Sequence, residues 1–131
     1  MFKAFKLASS FAVKDVAAAR AFYGGTLGFD VRDAQEPGLM EIHGTGGTPI
    51  LVYPKPDHEP AVFTILNIMV SDLEPAVDGL IAAGVAMEHY DMPDLKTDAK
   101  GIANDGRGPA IAWFKDPSGN ILSVLEARPS A

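Results

Sequence analysis

Glu41 and His43 stand two residues apart in Leu39-Met-Glu-Ile-His43. On an extended strand that spacing puts both side chains on one face. A carboxylate there can raise the basicity of the imidazole, and the pair can work as general acid and base. The same parity on a second strand gives Trp113 and Lys115. For His43 and Lys115 the solvated end of a strand is the better reading, since each enters a turn. For Glu41 and Trp113 packing and function weigh equally. His89 and Tyr90 are neighbours, so a strand points them to opposite faces and at most one lines a cavity. His58 falls in the proline-rich run Pro54-Lys-Pro-Asp-His-Glu-Pro60 and is expected to be exposed. A last group, Lys96, Asp98, Lys100 and Arg107, lies in a long polar segment over about 91–109. Segments of that length act as lids or binding loops, where such charges could meet an anionic ligand. For any one of them, ordinary solvation is the simpler account.

Other chemistries are missing their residues. There is no cysteine, hence no disulfide, thiolate metal site or cysteine nucleophile. Gly44-Thr-Gly-Gly47 lies inside a hairpin rather than between strand and helix, so it is no phosphate cradle. A Ser-His-Asp set cannot be read from spacing, because triads are geometric. The formal charge of −6, without a basic cluster, argues against nucleic acid and anionic membranes. No apolar run is long enough to span a bilayer, and Met1-Phe-Lys-Ala-Phe-Lys6 does not read as a secretory signal. A cytoplasmic location is expected. At 131 residues and 47% hydrophobic content the chain can bury one core.

The elements that must position these groups read as follows. Residues 7–14 alternate, with Phe11 and Val13 on one face and Ala8, Ser10 and Ala12 on the other. Asp15 caps a helix over about 16–24, ended by Gly24-Gly25. A strand follows at 29–33, then a hairpin of 39–43 and 49–53. After the connector at about 54–61, the order repeats: a strand at 63–70, a Ser71-Asp72 cap, and a helix. Leu73, Ala76, Val77, Leu80 and Ile81 fall at i, i+3, i+4, i+7 and i+8 of that helix. Another strand is expected at 85–90, followed by the long loop and a closing hairpin. Asp116-Pro-Ser-Gly119 forms its turn: Pro117 presets φ and Gly119 accepts a positive φ.

The halves align. Val13-Lys-Asp-Val matches Val70-Ser-Asp-Leu; Leu27-Gly-Phe matches Ala83-Gly-Val; Gly47-Thr-Pro-Ile-Leu-Val matches Gly119-Asn-Ile-Leu-Ser-Val. Each is a βαβββ module with a sheet face it cannot bury alone. The expected organisation is a single domain over 1–131, with module one at about 5–54 and module two at about 62–128.

Phe11-Ala-Val-Lys-Asp-Val, Ala21-Phe-Tyr, Leu27-Gly-Phe and Trp113-Phe-Lys-Asp-Pro-Ser-Gly-Asn together resemble the vicinal oxygen chelate superfamily, the glyoxalase, bleomycin-resistance and extradiol-dioxygenase group. The resemblance implies an α+β fold in which two βαβββ modules form a half-open, cupped mixed sheet with helices outside. It also implies a ligand on the concave side and, in many members, a homodimer. Its enzymes place a divalent metal there, held by His, Gln or Glu. Seven residues before the capping Asp of each module lie Ala8 and Ile65; four residues after the turn glycines lie Leu51 and Ser123. Three of these carry no donor atom and the fourth is a neutral hydroxyl, a poor ligand beside imidazole or carboxylate. No metal and no cofactor is therefore expected. Glu126, three residues beyond Ser123, belongs to the other face by alternation.

The same alternation gives a cavity lining of Ala8, Ser10, Ala12, Ile65, Asn67 and Met69 from the opening strands. Pro49, Leu51, Tyr53, Ile121, Ser123 and Leu125 come from the closing ones, with Trp113 as an aromatic wall. Apolar walls with sparse polar atoms suit a small molecule. For Met69 and Leu125 a closed core is equally good; Asn67 favours a pocket, since a buried amide needs partners. Three readings follow. The leading one is a metal-independent protein that binds a small, partly apolar molecule, by sequestration as bleomycin-resistance members do. The second is a metal-free lyase or isomerase using Glu41, His43, His89 or Tyr90 as acid or base. The third is a regulatory module without a ligand.

Overall fold

The computed structural model describes residues 3–127. Residues 1–2 and 128–131, which the single-domain reading includes, and Arg128, which module two includes, lie outside them. The chain divides into two compact units, the first ending at Glu59 and the second beginning at Pro60.

In unit one, β1 (Ser10–Val13) leads to α1 (Val16–Arg20), then to β2 (Asp30–Asp33), β3 (Met40–His43) and β4 (Ile50–Pro54). The sheet order is β1-β4-β3-β2, with β1 parallel to β4 and the other pairs antiparallel. Asp15 caps α1: its Oδ1 accepts from the N–H groups of Ala17 (2.9 Å) and Ala18 (3.4 Å). The expected helix continues as a π-helical turn over Ala21–Thr26, in which Leu27 N–H reaches back to Phe22 O at 2.8 Å. Gly24-Gly25 disfavours tight α-helical winding, so the last turn widens rather than stopping. The turn leaves Tyr23 fully buried, its ring 5.7 Å from Phe11 and 5.2 Å from Phe22. Phe11, Val13, Met40, Ile42 and Val52 complete this core. Each such side chain contributes about 1.5–3 kcal/mol when removed from water.

Unit two repeats the plan. It contains β5 (Thr64–Val70), α2 (Leu73–Ala82), a small hairpin of β6 (Asp91–Met92) and β7 (Leu95–Lys96), then β8 (Ile102–Ala103), β9 (Ile111–Lys115) and β10 (Ile121–Glu126). The main sheet runs β5-β10-β9-β8, with β5 parallel to β10. Helix α2 packs on β10. Leu73 and Val77 are buried, whereas Ile81 is 46% exposed, so the apolar stripe turns away from the sheet in its last turn. The repeat extends to single hydrogen bonds. Lys55 N–H donates to Val13 O (2.9 Å) in unit one, and Ala127 N–H to Val70 O (2.8 Å) in unit two. The aligned pairs Gly28 and Gly84, and Gly47 and Gly119, all hold positive φ, the conformation glycine alone adopts freely.

Two expectations are corrected here. Asp72 has the extended backbone of a cap but no capping side-chain bond. Leu73 N–H instead donates to Glu126 Oε2 at 3.1 Å. Glu126 thus lies on the helix side of its sheet, as alternation requires, and supplies the missing acceptor. The strand expected over 85–90 is reduced to one bridge, Met87 to Phe114, with Glu88 N–H bonded to Trp113 O at 2.9 Å. The chain then leaves the sheet and returns as β8, which pairs with the other end of β9. Gly101 makes the return possible. It has φ +86°, and a Cβ on it would lie 2.9 Å from Glu88 O. Asp98 shapes the approach, its Oδ1 accepting from the N–H groups of Lys100 and Ile102, both at 2.9 Å.

Candidate functional site

The face of the unit-one sheet away from Phe11 and Val13 carries every candidate expected there from β1, β3 and β4. Register places Ser10 beside Leu51, Ala12 beside Tyr53, and Leu51 beside Glu41. Ser10 is exposed, Leu51 and Tyr53 are half-buried, and Ala8 lies exposed ahead of β1. The reading of His43 as a merely solvated strand end does not hold. Its Nε2 lies 2.9 Å from Glu41 Oε1, and its side chain is only 19% exposed. Across the ladder Asp30 faces His43 and Arg32 faces Glu41. Arg32 donates to both Asp30 oxygens, at 3.2 and 2.7 Å. The Asp30–Arg32 and Glu41–His43 pairs thus lie side by side across the ladder. The guanidinium of Arg32 holds the Asp30 carboxyl below its ordinary value, and Asp30 in turn holds Arg32 above its own. Asp30 and Arg32 drew no notice in the sequence; their i, i+2 spacing opposite Glu41 and His43 was the available signal.

In unit two the register groups Asn67, Ser123 and Trp113 in one row, and Met69, Leu125 and Ile111 in the next. Ser123 is fully buried and its Oγ donates to Asn67 Oδ1 at 2.6 Å. Met69 is 69% exposed. Ile65 has no partner on β10, because the register shifts between Ile121 and Leu122: Thr64 pairs with Ile121, and Leu66 with Leu122. This bulge brings Thr64 onto the tryptophan side, where its Oγ1 accepts from Trp113 Nε1 at 3.1 Å. Plain alternation from Asn67 puts Thr64 on the opposite face, and so misses it. Tyr90 packs edge-on against Trp113 with centroids 5.5 Å apart, while His89 is exposed. Of that adjacent pair, Tyr90 is the one that joins the aromatic wall. Lys115 leaves the group, its Nζ lying 3.3 Å from Glu88 Oε1.

Beside this face opens a pocket of about 570 Å3. Its apolar wall comes from Pro93 and Leu95 in the small hairpin, Ala103 on β8, Pro109, and Ile111 at the base. Ile111 belongs to both pocket and sheet face. The long polar segment expected to act as a lid or binding loop thus carries β6, β7, β8 and most of the pocket lining. Thr97 closes the hairpin by three bonds to the Tyr90 backbone: Tyr90 N–H donates to Thr97 Oγ1 (2.9 Å), Thr97 Oγ1 to Tyr90 O (3.3 Å), and Thr97 N–H to the same oxygen (2.9 Å). Lys100 is clamped to α2 by Glu74 (2.9 Å) and Asp78 (2.8 Å). Asp78 first, and Glu74 second, hold its ammonium well above the ordinary lysine value. Asp105 is tied to the backbone and guanidinium of Arg107 at 2.9 Å, which holds its carboxyl below the usual carboxylate range.

His58, expected to be exposed, is buried. Its N–H bonds Lys55 O at 2.9 Å, and the Lys55–Asp57 ion pair stiffens that turn, which carries the imidazole out of solvent. Its Nε2 has no hydrogen-bond partner among the described residues.

At the four positions where a metal ligand was sought, Ala8, Leu51 and Ile65 offer no donor, and the hydroxyl of Ser123 is committed to Asn67. Among the described residues no three His, Asp or Glu side chains converge as ligands. The donor set does not fit a resident metal ion.

Residues 7–124 match the family described as the Glyoxalase/Bleomycin resistance protein/Dioxygenase superfamily. Among solved structures, a member of that superfamily from Sphaerobacter thermophilus DSM 20745 superposes with a TM-score of 0.68 at 23% identity, covering 95% of this chain and 98% of the other. TnmS3, an antibiotic binding protein from Streptomyces sp. CB03234, gives 0.64 at 22% identity, covering 97% and 100%. A bleomycin-binding protein complexed with bleomycin gives 0.68 at 18%, covering 95% and 100%. At such identities the likeness is one of fold. No functionally curated protein matches the chain.

Proposed function

Starting from the chain's membership of the glyoxalase/bleomycin resistance protein/dioxygenase superfamily, we propose that it binds a small, partly apolar molecule without a metal ion and holds it by sequestration. The carrying observation is the unit-two pocket, apolar at its wall and joined through Ile111 to the face of Trp113, Leu125 and Met69. Its volume lies within the range of small-molecule sites, and apolar walls with few polar atoms are their usual composition. The ligand-poor positions Ala8, Leu51, Ile65 and Ser123 support independence from metal. Two structural relatives named for binding an antibiotic or bleomycin share the fold, which makes sequestration of such a compound the natural first trial.

Membership of this family, together with Val62, Phe63 and Met69 exposed on and just before edge strand β5, supports a homodimer of this 13.8 kDa chain. Light scattering on a sizing column tests that. The absence of cysteine supports a cytoplasmic setting.

The test of binding is calorimetric titration with bleomycin and a panel of aromatic antibiotics, with and without EDTA, followed by mass analysis of the recovered compound. Saturable binding, indifference to EDTA and recovery of intact compound are expected. A stoichiometric divalent ion whose removal abolishes binding would overturn the metal-free reading.

The Glu41–His43 contact favours a second reading, a metal-free lyase or isomerase. With Nε2 engaged by Glu41, Nδ1 of His43 is the position left to take or give a proton. Modified compound in the same mass analysis, lost in His43→Asn but not in Lys115→Gln, would select this reading over sequestration.

A further inference from the structure

We propose that the unit-two pocket takes a zwitterionic amphiphile: an apolar, drug-sized body bearing one anionic group, met by Lys96, and one cationic group, met by Asp94. This deepens the binding reading above and rests on it.

The inference follows from accounting for the charges of 94–107. Asp98 is spent on the N–H groups of Lys100 and Ile102. Lys100 is held between Glu74 and Asp78. Asp105 and Arg107 line the pocket but satisfy each other. Of the four cations and anions singled out in the sequence, three therefore build the wall. Lys96 remains, and with it Asp94, a turn residue that no spacing or motif singles out. Both line the pocket, and among the described residues neither side chain makes an ion pair or hydrogen bond, with Asp91 facing Lys96 across the ladder. They flank Leu95, which contributes to the apolar wall.

The lining is thus electrically balanced, with Lys96 and Arg107 against Asp94 and Asp105. A simple anion would meet Lys96 but also the uncompensated Asp94. A simple cation meets the reverse. Only a ligand carrying both signs satisfies both heads while its body covers Leu95 and Ile111. The backbone that carries the two heads is fixed in advance. Lys96 sits in the β6–β7 ladder opposite Asp91, Asp94 occupies the intervening turn, and Thr97 locks the hairpin to Tyr90. Little ordering of the backbone is left for binding to pay.

Three probes share one naphthalene body and differ in charge: Nε-dansyl-lysine (zwitterion), dansylglycine (anion) and dansylcadaverine (cation). Fluorescence titration of the full chain is expected to rank Nε-dansyl-lysine about tenfold tighter than either of the others, the worth of one charge-assisted hydrogen bond. Lys96→Gln should weaken Nε-dansyl-lysine and dansylglycine roughly tenfold and spare dansylcadaverine. Asp94→Asn should weaken Nε-dansyl-lysine and dansylcadaverine and spare or tighten dansylglycine. Lys115→Gln, outside the pocket, should change none. Both pocket positions are exposed, so the variants should keep the parent's circular dichroism. Equal affinity for the three probes, or variants that weaken all three alike, would overturn the zwitterion inference and leave small-molecule binding standing. Failure of every probe to bind the parent chain would count against both.

Discussion

Asp116 is a buried carboxylate at the turn of the β9–β10 hairpin. Its Oδ1 accepts from the N–H groups of Ser118 and Asn120, and its Oδ2 from the Asn120 amide, each at 2.9 Å. The backbone closes the same turn, Gly119 N–H donating to Asp116 O at 3.0 Å. The sequence exposed this residue as a turn former, but not that its carboxylate is the node of a buried network. Asp116→Ala strands three buried donors at once and should cost about 3 kcal/mol in urea unfolding. Asp116→Asn keeps one acceptor oxygen and should cost clearly less. Equal losses would mean that the turn is held by backbone geometry alone. Thr64 teaches the converse lesson. Its bond to Trp113 depends on a one-residue register shift, and nothing in Phe63-Thr-Ile-Leu announces a bulge.

Helix α2 takes its N-terminal acceptor from Glu126, the last residue of β10, rather than from Asp72. Glu126→Ala should therefore destabilise by about 1 kcal/mol, a typical loss for a cap, while Asp72→Ala should cost less. Urea midpoints of the two variants decide which carboxylate caps. Gly101 is the other element-level hinge of unit two. Gly101→Ala meets both an unfavourable φ and a 2.9 Å approach to Glu88 O, so the strand-to-loop junction must open. Amide exchange in 91–109 should rise at least about tenfold, with about 2 kcal/mol lost overall. Unchanged exchange would show that the loop is held by Lys100 instead. Helices, paired strands and turn glycines were legible because periodicity and glycine placement report local backbone geometry. The pocket was not. It is made by Thr97 closing on Tyr90 and by Lys100 reaching Glu74 and Asp78, contacts between segments whose own sequences are merely polar.

At the scale of the whole chain, the duplicated plan made the architecture readable. Two modules with the same sheet order leave few other ways to connect the strands. The chemistry differs between them: unit one carries the adjoining Asp30–Arg32 and Glu41–His43 pairs, and unit two an aromatic face and a pocket. A ligand at a hundred times its dissociation constant should stabilise the protein by about 2.7 kcal/mol. That corresponds to a rise in melting temperature of roughly 10 °C for a chain of this size, and EDTA should leave the rise unchanged. A rise that chelation abolishes would return the metal to the mechanism. The split strand position in unit two has a consequence for how such a protein can change. Glu88 and Ile102 are both registered by β9, so residues 91–99 hang between two ends that Tyr90 on Trp113 and Lys100 on α2 hold in place. Substitutions at Pro93, Asp94, Leu95 and Lys96 can then retune ligand preference from one side of the pocket while those anchors keep the scaffold as it is.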